Sequence, residues 1–368
     1  MDLKKFEASK FKGTLQETVK ACEAIRMHKD NPKDISFAEM VKAKHSMELD
    51  SFLGSLGIDP GTDTISNLIT VADMDVRWII PEIFRQALLL GYRNAPIYPN
   101  IIVTEEQMRG LSQVMPHINM SDAAPRRVGE GETIPLGAIS YGSKTFRIFK
   151  LGRGISITDE VRQYSSLNVV SIFLRDFGLK LGHAADVLAI DCAINGEQAD
   201  GSESAPVVGT TTGVTATKAY KDFLRIWIRM SRIGRMPSVI IGGEDSALAT
   251  LDLTEFKTPV QGTPAAKLTF KQPLPSNSNY FIHGNVPATQ ELIIDPTASL
   301  IKFNGFPLKL ETERIVSNQT EAFYVSLQTG FAKLFRDSVI ILDDNVAVAS
   351  SGLPTWMDVD SLQNVTVE

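Results

Sequence analysis

NVVSIFLRDFGLKLGHAADVLAIDCAING, residues 168–196, is the longest periodic stretch of the chain. Phe173, Phe177, Leu181, Ala185, Leu188 and Cys192 follow one another at spacings of three and four, the repeat of one helix face. Asn168 is a good N-cap residue, and Asn195-Gly196 is a stop, because glycine tolerates the left-handed backbone in which helices commonly end. The spacing predicts one helix of roughly 26 residues, about 39 Å long, which exceeds most domain helices.

Upstream of this helix, residues 119–154 have a different composition. Gly129, Gly131, Gly137, Gly142, Gly152 and Gly154 punctuate the stretch, with Arg126, Arg127, Lys144, Arg147 and Lys150 between them. Lys144 to Leu151 has the alternation of a strand, yet apolar residues fall on both faces: Phe146 and Ile148 on one, Phe149 and Leu151 on the other. A lone hairpin with two sticky faces is marginal in water, so the stretch is expected to lie on another subunit. Arg126, Arg127, Val128, Ile134, Lys144, Phe146, Arg147, Ile148 and Lys150 are the candidate contacts. The competing reading is an ordinary surface hairpin of a large domain.

Further upstream, residues 3–29 read as an amphipathic helix, and a second helix is expected from a cap at Ser36 to Leu53, ending at Gly54. Residues 1–75 thus form a helical N-terminal extension with little core of its own. Pro81 suits the first turn of a helix running to Leu90, and Ile101-Ile102-Val103 is extended. Downstream, a helix is expected over Thr217–Arg232, a short buried strand over Pro237–Ile241, and a helical turn or two over Ser246–Leu251. Residues 257–288 read mostly as loop. Leu300–Phe303, Leu308–Ile315, Glu321–Leu334 and Val339–Leu342 read as strands, followed by a polar tail.

The 368 residues suggest two or three core-bearing units. Hydrophobic residues at 43% and charged residues at 22% fit a globular chain, and no apolar run approaches a membrane span. The first residues lack the apolar core of a secretory signal. A net charge of −6 argues against a dedicated nucleic-acid-binding surface but suits a wall that encloses a polyanion without gripping it. Two distant cysteines make no disulfide framework or thiolate metal site. No dinucleotide, phosphate-loop, nucleophile-elbow or zinc-protease motif occurs, and the five histidines are scattered. His183 is expected to be packed or solvent-facing. Gly242-Gly243-Glu244-Asp245-Ser246 reads as a strand-to-helix turn, since adjacent carboxylates oppose an anion there. No enzymatic role and no cofactor are expected.

The order of these pieces resembles the major capsid family of tailed bacteriophages, the Hong Kong 97-like fold shared with encapsulins. Glu130-Gly131-Glu132-Thr133-Ile134-Pro135 followed by Lys150 to Glu160 is similar to that family's extended loop and its return. Asn168 to Gly196 is similar to its spine helix, and the Gly-rich loop up to Pro206-Val207-Val208-Gly209 is similar too. Asn318 to Ala332, then Val339 to Leu342, is similar to its C-terminal strand pair, although Gln328-Thr329 stand where many relatives carry an arginine. The resemblance implies an α+β fold: a peripheral domain (76–118, 155–205, 300–342), an extended β-hairpin loop (119–154), an axial domain (206–299), an N-terminal arm (1–75) and a C-terminal tail (343–368). It implies a structural protein that self-assembles into pentamers and hexamers of an icosahedral shell. Further implied partners are portal, scaffolding and other head proteins, and double-stranded DNA enclosed without sequence-specific binding. No membrane is implied; the place is the virion, assembled in the host cytoplasm. Encapsulin-type compartments and a soluble α/β enzyme are the alternatives, and the length and N-terminal extension favour the phage.

Overall fold

The computed structural model describes residues 19, 20, 22, 24, 25, 36–55, 79–94, 96–108, 110, 112–118, 130, 139–197, 204–214, 217–253 and 278–347. Two short helices, α1 (Phe37–His45) and α2 (Leu49–Ser55), precede a longer one, α3 (Ile79–Asn94). The expected single helix from Ser36 to Leu53 is therefore two, broken where Ser46 takes a left-handed conformation (φ 54°). The Ser36 cap is present as a reciprocal pair. Its Oγ accepts the Glu39 N–H at 3.1 Å, and the Glu39 carboxylate accepts the Ser36 N–H at 2.8 Å. Val19, Cys22, Phe37, Val41, Phe52 and Leu53 are buried in one cluster with Ile80, Phe84 and Leu88 of α3. These described N-terminal residues thus extend the main core.

Strands β1 (Ile102–Gln107), β2 (Ser112–Ile118), β3 (Ile139–Arg147) and β4 (Phe149–Thr158) lead through a one-turn helix, α4 (Asp159–Tyr164), into α5 (Leu167–Asn195). Helix α5 has 29 residues and is about 44 Å long. Its N-cap position is Ser166, two residues before the expected Asn168, and it stops at Gly196 (φ 70°), whose N–H bonds the Cys192 carbonyl at 2.9 Å. The buried face also differs from the expected stripe. Leu167, Val170, Leu174, Gly178, Leu181, Ala185, Ala189 and Ala193 face the core, and Phe173 faces out. Helix α3 crosses α5 at glycines on both partners. A Cβ on Gly178 would lie 2.1 Å from the Leu88 carbonyl oxygen, and one on Gly91 would lie 2.0 Å from that of Arg175. Backbone meets backbone there, which draws the flanking Phe84, Leu88, Leu174 and Leu181 into contact.

The remaining elements are β5 (Val207–Thr210), α6 (Tyr220–Arg232), β6 (Val239–Gly242), α7 (Glu244–Leu251), β7 (Asn279–Ile282), β8 (Gln290–Ile294), β9 (Leu300–Asn304), β10 (Lys309–Ile315), β11 (Thr320–Lys333) and β12 (Val339–Ala347). Strand β11 organises the first sheet. Its N-terminal part lies between antiparallel β10 and β4, and its last residues pair with β9, which pairs in parallel with β1. Residues 149–154, expected in the extended loop, are thus paired with β11 inside this sheet.

The second sheet has the order β5-β12-β8-β6-β7. Its central strands are continuous apolar runs because both faces are covered. Val239, Ile241, Leu292, Ile294, Val339 and Ile341 face the C-terminal half of α5. The alternate residues Ile240, Ile293, Ile340 and Leu342 pack under Phe223, Ile226 and Met230 of α6. Residues 339–342, expected beside the strands of 300–334, belong to this second sheet, and the strand continues to Ala347 into the stretch expected as a tail. Strands β5, β7 and β8 have no counterpart among the strands expected from sequence. Each is only four or five residues long and takes its pairing from distant partners. Among the described residues, no helix is long and apolar enough to cross a membrane.

Candidate inter-subunit surface

Strands β2 and β3 form a two-stranded antiparallel ladder apart from both sheets, with Ser112 opposite Arg147 at its base and Ile118 opposite Ile139 at its far end. Residues 119–138 connect them. Arg126, Arg127, Val128 and Ile134 lie outside the described residues, as does the side chain of Lys144. Phe146 and Ile148 are not available to a neighbour. Both are buried in a cluster with Met108, Ile301, Phe303 and Ala332, where the Phe146 ring stacks on Phe303 at 4.0 Å between centroids. The apolar face of Lys144–Leu151 that carries them is filled by this chain's own sheet and anchors the hairpin at its base. Arg147, Phe149 and Lys150 remain on the outside, and Phe149 is 52% exposed. The Lys150 ammonium stands 6.0 Å from the Phe306 ring centroid, on the rim of a groove lined by Pro81, Arg85 and Leu308.

A larger apolar surface lies on α4 and the first turns of α5. The Thr158 hydroxyl caps α4 by accepting the Val161 N–H at 3.4 Å. Asp159 holds Arg314 of β10 at 3.0 Å and Arg162 at 3.5 Å, and Arg162 reaches Glu321 of β11 at 3.8 Å. These pairs fix the short helix to the sheet with Val161 and Tyr164 turned to solvent. In α5, Leu167, Val170 and Leu174 enter the core, which leaves Val169, Ile172 and Phe173 on the opposite side. Ile172 and Phe173 are 66% and 71% exposed, and Tyr164 is 78% exposed. One turn on, the outer face turns polar with the Asp176–Lys180 pair at 2.9 Å. Scattered exposed apolar residues need no explanation, but five on consecutive elements make a candidate contact surface. Sequence periodicity missed it by placing Phe173 on the core stripe. The usable signal was the excess of apolar residues at 169–174, more than one helix face can bury.

His183, Asp186 and His283 also come together, with ligand-type atoms within 4.8 Å of one another. Asp186 is buried, and its Oδ1 accepts the Ile97 and Tyr98 N–H groups at 2.8 Å. Burial pushes its carboxyl up and pushes the His283 imidazole down. The His283 Nδ1 accepts the Asn285 N–H at 3.1 Å, so in the neutral ring Nε2 carries the proton and has no lone pair for a metal. The trio is a polar seam between α5, the Tyr98 turn and the β7–β8 turn. His183 is half exposed there.

No protein-family model and no curated protein sequence matches this chain. Solved structures do. A chain from Microbacterium phage Oxtober96 aligns with 68% of this chain and 91% of its own at 10% identity and a TM-score of 0.50. The capsid of an empty GTA particle aligns with 67% of this chain and 88% of its own at 12% identity and a TM-score of 0.49. A virus-like particle from Pyrococcus furiosus aligns with 71% and 98% at 14% identity and a TM-score of 0.46. The chain has the Hong Kong 97-like fold. In this Hong Kong 97-like chain the long helix is α5 and the long strand is β11; of the β2–β3 hairpin, β3 lies within the stretch expected as the extended loop (119–154) and β2 lies before it.

Proposed function

We propose that this chain is a structural shell protein, the major capsid protein of a tailed bacteriophage, whose copies close into an icosahedral container around double-stranded DNA. The observation that supports this reading is the exposed apolar run of Val161, Tyr164, Val169, Ile172 and Phe173 on a chain of this fold. Burying a side chain the size of Ile172 or Phe173 against a neighbour contributes about 1.5–3 kcal/mol, so a few such contacts per subunit, repeated around a ring, hold a shell. Head-to-tail contacts whose rotation closes generate the pentamers and hexamers, and no site needs to perform chemistry. The β2–β3 hairpin reaches a neighbouring subunit, while Phe146 and Ile148 hold its base. Portal and scaffolding proteins are the further partners, and the assembled shell is part of the virion.

Electron microscopy of the purified protein, with nuclease-protected DNA measured on the same particles, tests this. Closed shells made from subunits, and shells from infected cells that hold protected double-stranded DNA, are the expected result. Closed shells that hold only a protein cargo assign the encapsulin-type role instead. A species that stays monomeric at all concentrations overturns the shell reading. Replacing residues 128–138 with a short Gly-Ser turn is expected to leave a folded subunit that forms no closed shells.

A further inference from the structure

Lys218, Glu291 and Asp344 meet inside the second-sheet region, and all three side chains are wholly removed from solvent (0% each). Lys218 lies in the loop before α6, Glu291 on β8 and Asp344 on β12. Glu291 pairs with Leu342 in the ladder, and Asp344, two residues further along β12, has its side chain on the same face. The Lys218 Nζ is 2.9 Å from Glu291 Oε1 and 3.4 Å from Asp344 Oδ1. The first carboxylate is well satisfied: Glu291 Oε1 also accepts the Thr250 hydroxyl at 2.5 Å and the Tyr280 hydroxyl at 2.6 Å. The second is not. Neither oxygen of Asp344 makes a hydrogen bond of ordinary geometry, although both are buried. Such a carboxylate is costly to keep as an ion, and among the described residues its close cationic neighbour is the Lys218 amine.

We propose that the side chains of Lys218 and Asp344 join in an amide bond within the chain, with Glu291 moving the protons. A proton passing from Nζ to Asp344 Oδ1 turns the ion pair into a neutral amine and a carboxylic acid. Nζ then attacks Cγ and the N–C bond forms. Glu291 takes a proton from Nζ and delivers it to the departing hydroxyl, the Cγ–O bond breaks and one water leaves. The balance is one amine and one acid giving one amide and one water, with no oxidant and no co-reactant. Folding supplies the driving geometry, because it holds the amine against the carboxyl in a site without solvent, with the Phe223 ring 5.7 Å from Nζ. Burial, partly offset by Lys218, pushes the Asp344 carboxyl up to about 6, which keeps the acid form accessible near neutral pH. The product replaces a buried ion pair with a neutral amide and ties the loop before α6 to the last strand of the sheet. Its place within one subunit makes it independent of whether shells form.

Mass spectrometry of the purified full chain tests it. The expected result is an intact mass short by one water. Trypsin is then expected to skip Lys218 and to release a branched peptide in which residues 181–221 are joined to residues 337–368. Glu291→Gln keeps the shape and is expected to restore the full mass and cleavage after Lys218. Lys218→Met is expected to restore the full mass as well. A wild-type chain of full mass, cut normally after Lys218, overturns the proposal whatever the variants do. So does a water deficit that maps to any other pair of residues.

Discussion

Gly178→Ala adds a single methyl group where α3 and α5 cross. The new Cβ falls 2.1 Å from the Leu88 carbonyl oxygen and 2.9 Å from the Leu88 carbonyl carbon. The closest ordinary carbon–oxygen approach is about 3.3 Å, so the two backbones have to separate by about 1 Å. No flexible side chain gives way here, because the obstacle is the main chain of a helix. The separation loosens Phe84, Leu88, Leu174 and Leu181, all buried around the crossing. Overpacking costs about 1–3 kcal/mol, and a backbone obstacle puts this site at the upper end. Alanine recovers about 1 kcal/mol of helix propensity over glycine, which leaves a net loss of about 2 kcal/mol. Urea unfolding of the unassembled subunit reads this as a lower midpoint at unchanged slope. Gly54→Ala in α2 is the matched control, since a Cβ there meets nothing within 4 Å and its only effect is a propensity gain of up to ~1 kcal/mol. A Gly178→Ala midpoint equal to or above that of wild type refutes the close-crossing account of α3 on α5.

Ser36→Ala removes the hydroxyl that accepts the Glu39 N–H and is expected to cost about 1 kcal/mol in the same assay, with the loss confined to the α1–α2 region in hydrogen exchange. Phe173→Asp changes a residue that is 71% exposed; subunit stability is expected to stay within about 0.5 kcal/mol while particle yield by sedimentation falls sharply. His283 has its pKa lowered below 6.5, chiefly by burial, so the unfolded chain binds the proton first as pH falls. Its contribution to stability is present above 6.5 and lost as pH drops towards the folded value, so His283→Gln is expected to flatten the wild-type decline in melting temperature below about pH 6.5.

Much of the fold is legible in the sequence because it rests on local signals. The three- and four-residue spacing of 168–196 sets a single long helix, Gly196 stops it, Ser36 opens α1, and the apolar runs at 239–241 and 339–342 become strands buried on both faces. The ordered set of these elements was sufficient to suggest the Hong Kong 97-like fold. Burial and pairing depend instead on residues far apart in the chain. Helix α5 carries apolar residues on more than one face, and which of them enter the core depends on where α3 and the sheets lie; that geometry put Val170 and Leu174 inside and left Ile172 and Phe173 outside. Strands β5, β7 and β8 are too short to declare themselves and exist because β12 and β6 present open edges to them. The contact candidates divide for the same reason: Phe146 and Ile148 are drawn into this chain's own core by Phe303, some 150 residues away, a partner that periodicity around residue 146 carries no trace of. Likewise, nothing local to Lys218, Glu291 or Asp344 marks them as neighbours. Only the packing of a loop and two strands seals a lysine and two carboxylates away from water in one place.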